Sequence, residues 1–138
     1  MGTRADFYVG RGEKAEWIGS IAWDGYPEGF KDKGMSVLNA TSEANFRKAV
    51  KAFISGRRDG TTPDMGWPWP WDSSHTTDYS YAFDEGRTWG TNWGYGWWPA
   101  NEKQPEEREE NVKVSFPNMK DRANVTFGER SGVIILGG

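Results

Sequence analysis

The sequence predicts an α+β fold: a mostly antiparallel, twisted sheet of about five to seven strands, with one main helix packed on one face. Three observations lead there. Several segments alternate polar and apolar residues with a period of two, as half-buried strands do. A single segment, 42–55, carries a helical stripe. One helix cannot cover both faces of a parallel sheet, so an antiparallel arrangement follows. The chain has 138 residues, the size of one domain. We treat 1–138 as a single domain with a polar loop over 99–110.

Asp6 to Val9 alternates, with Phe7 and Val9 on one side. Glu16 to Trp23 alternates too, with Trp17, Ile21 and Trp23 in phase. The glycine-rich segment 10–15 between them makes a β-hairpin. It also matches the dinucleotide-binding pattern in its variant ending in Ala. That chemistry needs a helix next, to receive the pyrophosphate. Glu16 to Ile21 has strand periodicity instead, so the hairpin is preferred.

Thr41 or Ser42 can cap the helix, and Glu43 suits its positive end. Phe46, Ala49, Val50, Phe53 and Ile54 form one apolar stripe. Glu43 can pair with Arg47 one turn on, and Gly56 stops the helix. Residues 57–77 form a long ordered loop, because Pro63, Pro68 and Pro70 exclude a regular helix and interrupt a central strand. A second hairpin follows. Tyr79, Tyr81 and Phe83 alternate, residues 84–87 turn, and Trp89, Thr91 and Trp93 alternate again. Aromatic cross-strand pairs are expected to stabilise it. Further strands are expected around Val112–Phe116, from Val125 to Phe127 and at Val133–Leu136. The last of these could instead pack on a partner.

Composition narrows the function. With no cysteine, a disulfide scaffold, a cysteine-ligated metal and a cysteine nucleophile are excluded. Seventeen basic against 20 acidic residues give a net charge of −3. That balance speaks against sequence-independent nucleic-acid binding, which draws on many phosphate contacts from Lys and Arg. No apolar run approaches the roughly 20 residues that span a bilayer. The first residues lack an apolar signal core. A cytoplasmic protein with no membrane association, no metal site and no cofactor is therefore expected.

The aromatic block is the informative feature. Seven of the nine tryptophans lie between Trp67 and Trp98. Strand packing accounts for Tyr79, Tyr81, Phe83, Trp89 and Trp93. It accounts less well for Trp67, Trp69, Trp71, Trp97 and Trp98, which sit with Tyr95 in Pro- and Gly-punctuated loops. Rings on stiff loops suit stacking on planar ligands or sugar faces, or anchoring of a protein partner. Arg57, Arg58 and Arg87 are natural companions, since a guanidinium stacks on rings and grips phosphate. The simpler alternatives are an aromatic core and solvated arginines.

His75 is the only histidine. Asp72 and Asp78 lie three residues to either side and could orient it for proton transfer in a small hydrolase. A turn-rich surface segment, with Asp, Ser and Thr satisfying local backbone, competes with that reading.

Four strings are distinctive: residues 2–10 (GTRADFYVG), 18–26 (IGSIAWDGY), 61–71 (TTPDMGWPWPW) and 76–84 (TTDYSYAFD). In these the chain resembles a group of small uncharacterised bacterial and phage proteins, over roughly its first 90 residues. No catalytic residue comes with the likeness. It implies a phage or prophage accessory protein working inside a bacterial cell. Together these readings point to a non-enzymatic binding protein. Its ligand would be small, planar and anionic, such as a signalling nucleotide held on the loop aromatics and arginines, and its role one of counter-defence. The alternatives are a protein-binding inhibitor or assembly factor acting on a host protein, and the hydrolase. Self-association stays open.

Overall fold

Alternating side chains place Ala5–Val9 (β1) and Glu16–Ile21 (β2) in an antiparallel pair. The computed structural model describes residues 2–31, 34–92, 96–102 and 116–119. The strands expected at Val112–Phe116, Val125–Phe127 and Val133–Leu136 fall mostly or wholly outside them, as do Trp93, Tyr95 and most of the polar loop. β3 is Gly60–Thr61, β4 Tyr79–Asp84, β5 Arg87–Thr91 and β6 Trp98–Pro99. The sheet order is β3-β2-β1-β4-β5-β6. The central pair, β1 and β4, is parallel, and every other pairing is antiparallel. The expected α+β fold, mostly antiparallel with one main helix, is what forms.

A single helical turn, α1 (Met35–Leu38), precedes the main helix, α2 (Glu43–Ser55). Ser42 caps α2, its hydroxyl accepting from the Asn45 amide, and Gly56 ends it. Arg47 bonds Glu43 at 2.8 Å, as the spacing predicts, and also grips Glu16 at the start of β2. Phe46, Val50, Phe53 and Ile54 turn inward onto Ala5, Phe7, Ile21, Tyr81 and Phe83. Phe7 is the centre of this face, with Phe30, Phe53 and Tyr81 rings between 5.9 and 6.4 Å away.

Two expectations about strand faces are corrected. Trp17 and Ile21 are not in phase: Trp17 packs on the face opposite the helices and Ile21 beneath them. A bulge causes this, since Phe7 pairs with Gly19 but Tyr8 pairs with Trp17, leaving Ile18 extra. The aromatic cross-strand pairs of the second hairpin also do not form. A two-residue turn, Glu85 and Gly86, pairs Asp84 with Arg87, so Tyr81 faces Gly90, Phe83 faces Thr88 and Trp89 faces Ala82.

The chain between β3 and β4 is the crossover that the parallel pair requires. Residues 62–78, with short 3-10 turns at Pro63–Met65 and Ser74–Thr76, run across the face opposite α1 and α2, where Tyr8, Ala15, Trp17 and Ala82 meet Trp67, Trp97, Phe116 and Met119. The proline- and tryptophan-rich loop is thus a third layer over the sheet.

Candidate functional site

Asp6 fastens that layer. It is the second residue of β1, fully buried, facing the loop. Its Oδ1 accepts from Ser20 Oγ at 2.5 Å and from Trp69 Nε1 at 2.7 Å, and its Oδ2 accepts from Ser74 Oγ at 2.5 Å. Tyr8 OH and Ser74 Oγ are 2.6 Å apart, and Trp17 Nε1 donates to Ser20 Oγ. Burial drives the Asp6 pKa above its ordinary value, although hydrogen bonds from Ser20, Ser74, Trp69 and Thr77 pull the other way.

Trp67, Trp69 and Trp71 are half-buried and use their indole N–H groups internally. Trp67 donates to the Trp71 carbonyl, and Trp71 donates to Thr77 Oγ1. Trp69 and Trp71 stack with centroids 5.5 Å apart, and Trp67 meets Trp17 edge-on. Trp97 lies against Phe116, while Trp98 is buried at 2% exposure beside Tyr79. Tyr95 lies outside the described residues.

The arginines singled out from sequence are elsewhere. Arg57 bonds Asp59 and the Trp23 carbonyl and lies over Phe53, on the helix side. Arg58 is exposed. Arg87 holds Asn101 and Glu102 and rests over Trp89. The guanidiniums that do meet the loop rings are Arg4, 5.0 Å from Trp71 and 5.9 Å from Trp69, and Arg11, 4.3 Å from Trp89 and 5.9 Å from Trp97. Arg11 is held by Asp84 and Glu85.

Arg4 opens onto a cleft of about 630 Å³, within the usual range for small-molecule sites. The cleft sits at one end of the sheet, where the four middle strands present their termini. Arg4 precedes β1, Asp78 precedes β4, Trp23 follows β2 and Asn92 follows β5. Asp78 Oδ2 accepts from the Arg4 amide at 2.9 Å and from Arg4 Nε at 3.4 Å. Among the described residues, the two terminal amino groups of Arg4 make no hydrogen bond. Asn92 is 8% exposed, and its Oδ1 has no hydrogen-bond partner among the described residues. Trp23 is 51% exposed.

Trp23 is held from behind. Asp59 Oδ2 accepts from the amides of Ala22 and Trp23, and Arg57 donates to the Trp23 carbonyl. Burial alone would raise the Asp59 pKa, but bonds and charge from Arg57, with the two amides, outweigh it and hold the carboxyl below its ordinary value. A Cβ on Gly2 would collide with Trp23 Cδ1 and the Ala22 carbonyl, so glycine backbone braces the ring. Arg57, expected as a ligand contact, instead positions the cleft wall.

Sequence reading missed Arg4, Trp23, Asp6 and Asn92 as site residues. Arg4 and Trp23 lie 19 positions apart, and only strand pairing brings them to one edge. His75 is exposed, with Nδ1 2.8 Å from Ser73 Oγ and its ring edge-on to Phe116. It does not line the cleft, whereas Asp78 does. Asp72 is exposed, and its carbonyl accepts from the Met119 amide.

Comparison with family models, with curated proteins and with solved structures finds no match. Among the described residues, no group of three or more His, Asp or Glu side chains is placed to hold a metal ion. No described helix is long and apolar enough to cross a membrane.

Proposed function

We propose that this is a non-enzymatic binding protein that holds a planar, anionic small molecule of the nucleotide class in the cleft beside Arg4. The observation that carries the reading is the Arg4 guanidinium. Asp78 fixes it through Nε and two indoles support it, while its terminal amino groups stay open to a phosphate. Trp23 offers a ring face for a base, and base–aromatic stacking is worth about 1–3 kcal/mol. The loop tryptophans enter as the support beneath Arg4. The resemblance to bacterial and phage proteins adds a setting, in which sequestering a host signalling nucleotide serves counter-defence.

Titration of tryptophan emission with mono-, di- and cyclic nucleotides tests this. We expect quenching that saturates, and at least a tenfold loss of affinity in Arg4→Ala, by about 1.5 kcal/mol or more for a charged hydrogen bond. No response at millimolar ligand removes the reading. A protein-binding role draws on the exposure of Trp23 at 51% and Met65 at 59%. A stoichiometric host partner lost on Trp23→Ala, with no nucleotide response, would favour it.

A further inference from the structure

Resting on the nucleotide reading of the same cleft, we infer that Asp6 is the positioning residue of the Arg4 site: it tethers the two indoles on which the Arg4 guanidinium lies, and so aims the open edge of that guanidinium into the cleft. Asp6 does not itself line the cleft. It acts through Trp69 and Trp71.

Strand alternation brings the parts within reach. Arg4 directly precedes β1 and Asp6 comes two residues later, so both side chains leave the same face of the sheet. Trp69 and Trp71 stack on that face, and the Arg4 guanidinium lies 5.9 and 5.0 Å from their ring centres. The N–H ends of both indoles lead to one carboxylate. Trp69 Nε1 donates to Asp6 Oδ1 at 2.7 Å. Trp71 Nε1 donates to Thr77 Oγ1 at 2.9 Å, and the Thr77 side chain bonds Asp6.

The tether bears on the orientation of a charge. Asp78 meets Arg4 Nε at 3.4 Å, which is long for a charged pair. That single contact leaves the guanidinium able to swing about it. Rings attract a cation over their faces, so a fixed pair of rings fixes its plane, and a loose pair does not. Asp6 is itself immobile. β1 is paired on both sides, and Ser20 and Ser74 bond the same carboxylate. A guanidinium ordered before the ligand arrives loses less freedom on binding.

Calorimetric titration of the full chain with AMP and with 3′,5′-cyclic AMP tests this. Trp69→Phe keeps a ring and removes the N–H. We expect it to weaken binding of both probes by at least about threefold, within the coupling usual for residues in one network. Asp6→Ala should weaken binding at least as much. Asp6→Asn, which keeps an acceptor for Trp69, should recover most of that loss. Thr88→Val removes a buried hydrogen bond to the Val37 carbonyl on the helix side and reports general loosening; it should stay within about twofold of wild type. Binding unchanged in Trp69→Phe, weakened equally in Thr88→Val, or not recovered in Asp6→Asn overturns the role given to Asp6 and leaves the nucleotide reading standing. No binding of either probe by the wild type overturns both. Trp69→Phe decides the matter even where Asp6→Ala fails to fold.

Discussion

Asp6 and Asp59 are carboxylates placed in opposite electrostatic settings. Asp6 has four neutral donors around it and its pKa is raised, chiefly by burial. A raised carboxyl favours the protonated fold, so that contribution is present below the unfolded value near 3.8 and fades as pH rises through the folded value. Its hydrogen bonds still matter at neutral pH. Asp6→Ala strands Trp69 Nε1, Ser20 and Ser74 and should cost about 3 kcal/mol in urea denaturation, by the penalty for unmet buried donors. Asp6→Asn keeps an acceptor for Ser20 and Trp69. It should cost less and remove this group's pH dependence.

Asp59 has the reverse sign. Its depressed carboxyl adds stability above the ordinary value of 3.8, and that stability is lost as pH falls through the folded value. With its side chain 2% exposed, Asp59→Ala should cost about 2 kcal/mol at pH 7, from lost bonds to two amides and a guanidinium. The gap to wild type should close in the acid range. A gap independent of pH would place its contribution elsewhere.

At the scale of elements, turn geometry decides which side chains meet. In the second hairpin Glu85 has φ 52° and Gly86 φ 81°, the pattern of a two-residue turn with both central residues left-handed. That turn opposes odd-numbered residues of β4 to even-numbered residues of β5. The rings of Tyr79, Tyr81 and Phe83 therefore serve the helix side, and Trp89 serves the other. Glutamate is a poor occupant of a left-handed position. Glu85→Asn should stabilise the fold by about 0.5 kcal/mol, read as a rise of about 2 °C in melting temperature. It gives up only the exposed Arg11–Glu85 pair, and surface pairs are worth little. The first hairpin obeys its bulge instead. Gly19 lies under Ile54, where a Cβ would collide with Ile54 Cδ1. Glycine is thus needed there for close approach of strand and helix.

Across the whole molecule, the sheet lies between unlike layers: helices on one side, an irregular crossover on the other. The two sides should respond differently to truncation. Phe7→Ala, removing a ring with 0% exposure from the helix-side core, should cost about 3–5 kcal/mol. Trp23→Ala at the cleft should shift stability by no more than about 0.5 kcal/mol while abolishing the emission response to ligand. Equal destabilisation by the two would mean that Trp23 is a packing residue.

Local patterning by itself determined much of this. The stripe Phe46–Ile54 with Ser42 before it specified a capped helix, and period-two alternation specified β1, β2, β4 and β5, because helix and strand periodicity depend only on neighbours along the chain. Proline at 63, 68 and 70 likewise marked the loop. The tertiary structure decided the rest: that β1 and β4 lie parallel, that the loop crosses over Asp6, and that Arg4, Trp23, Asp78 and Asn92 share one edge. Those residues come from separate strand ends, and their proximity is created by pairing between distant segments, which no local period records.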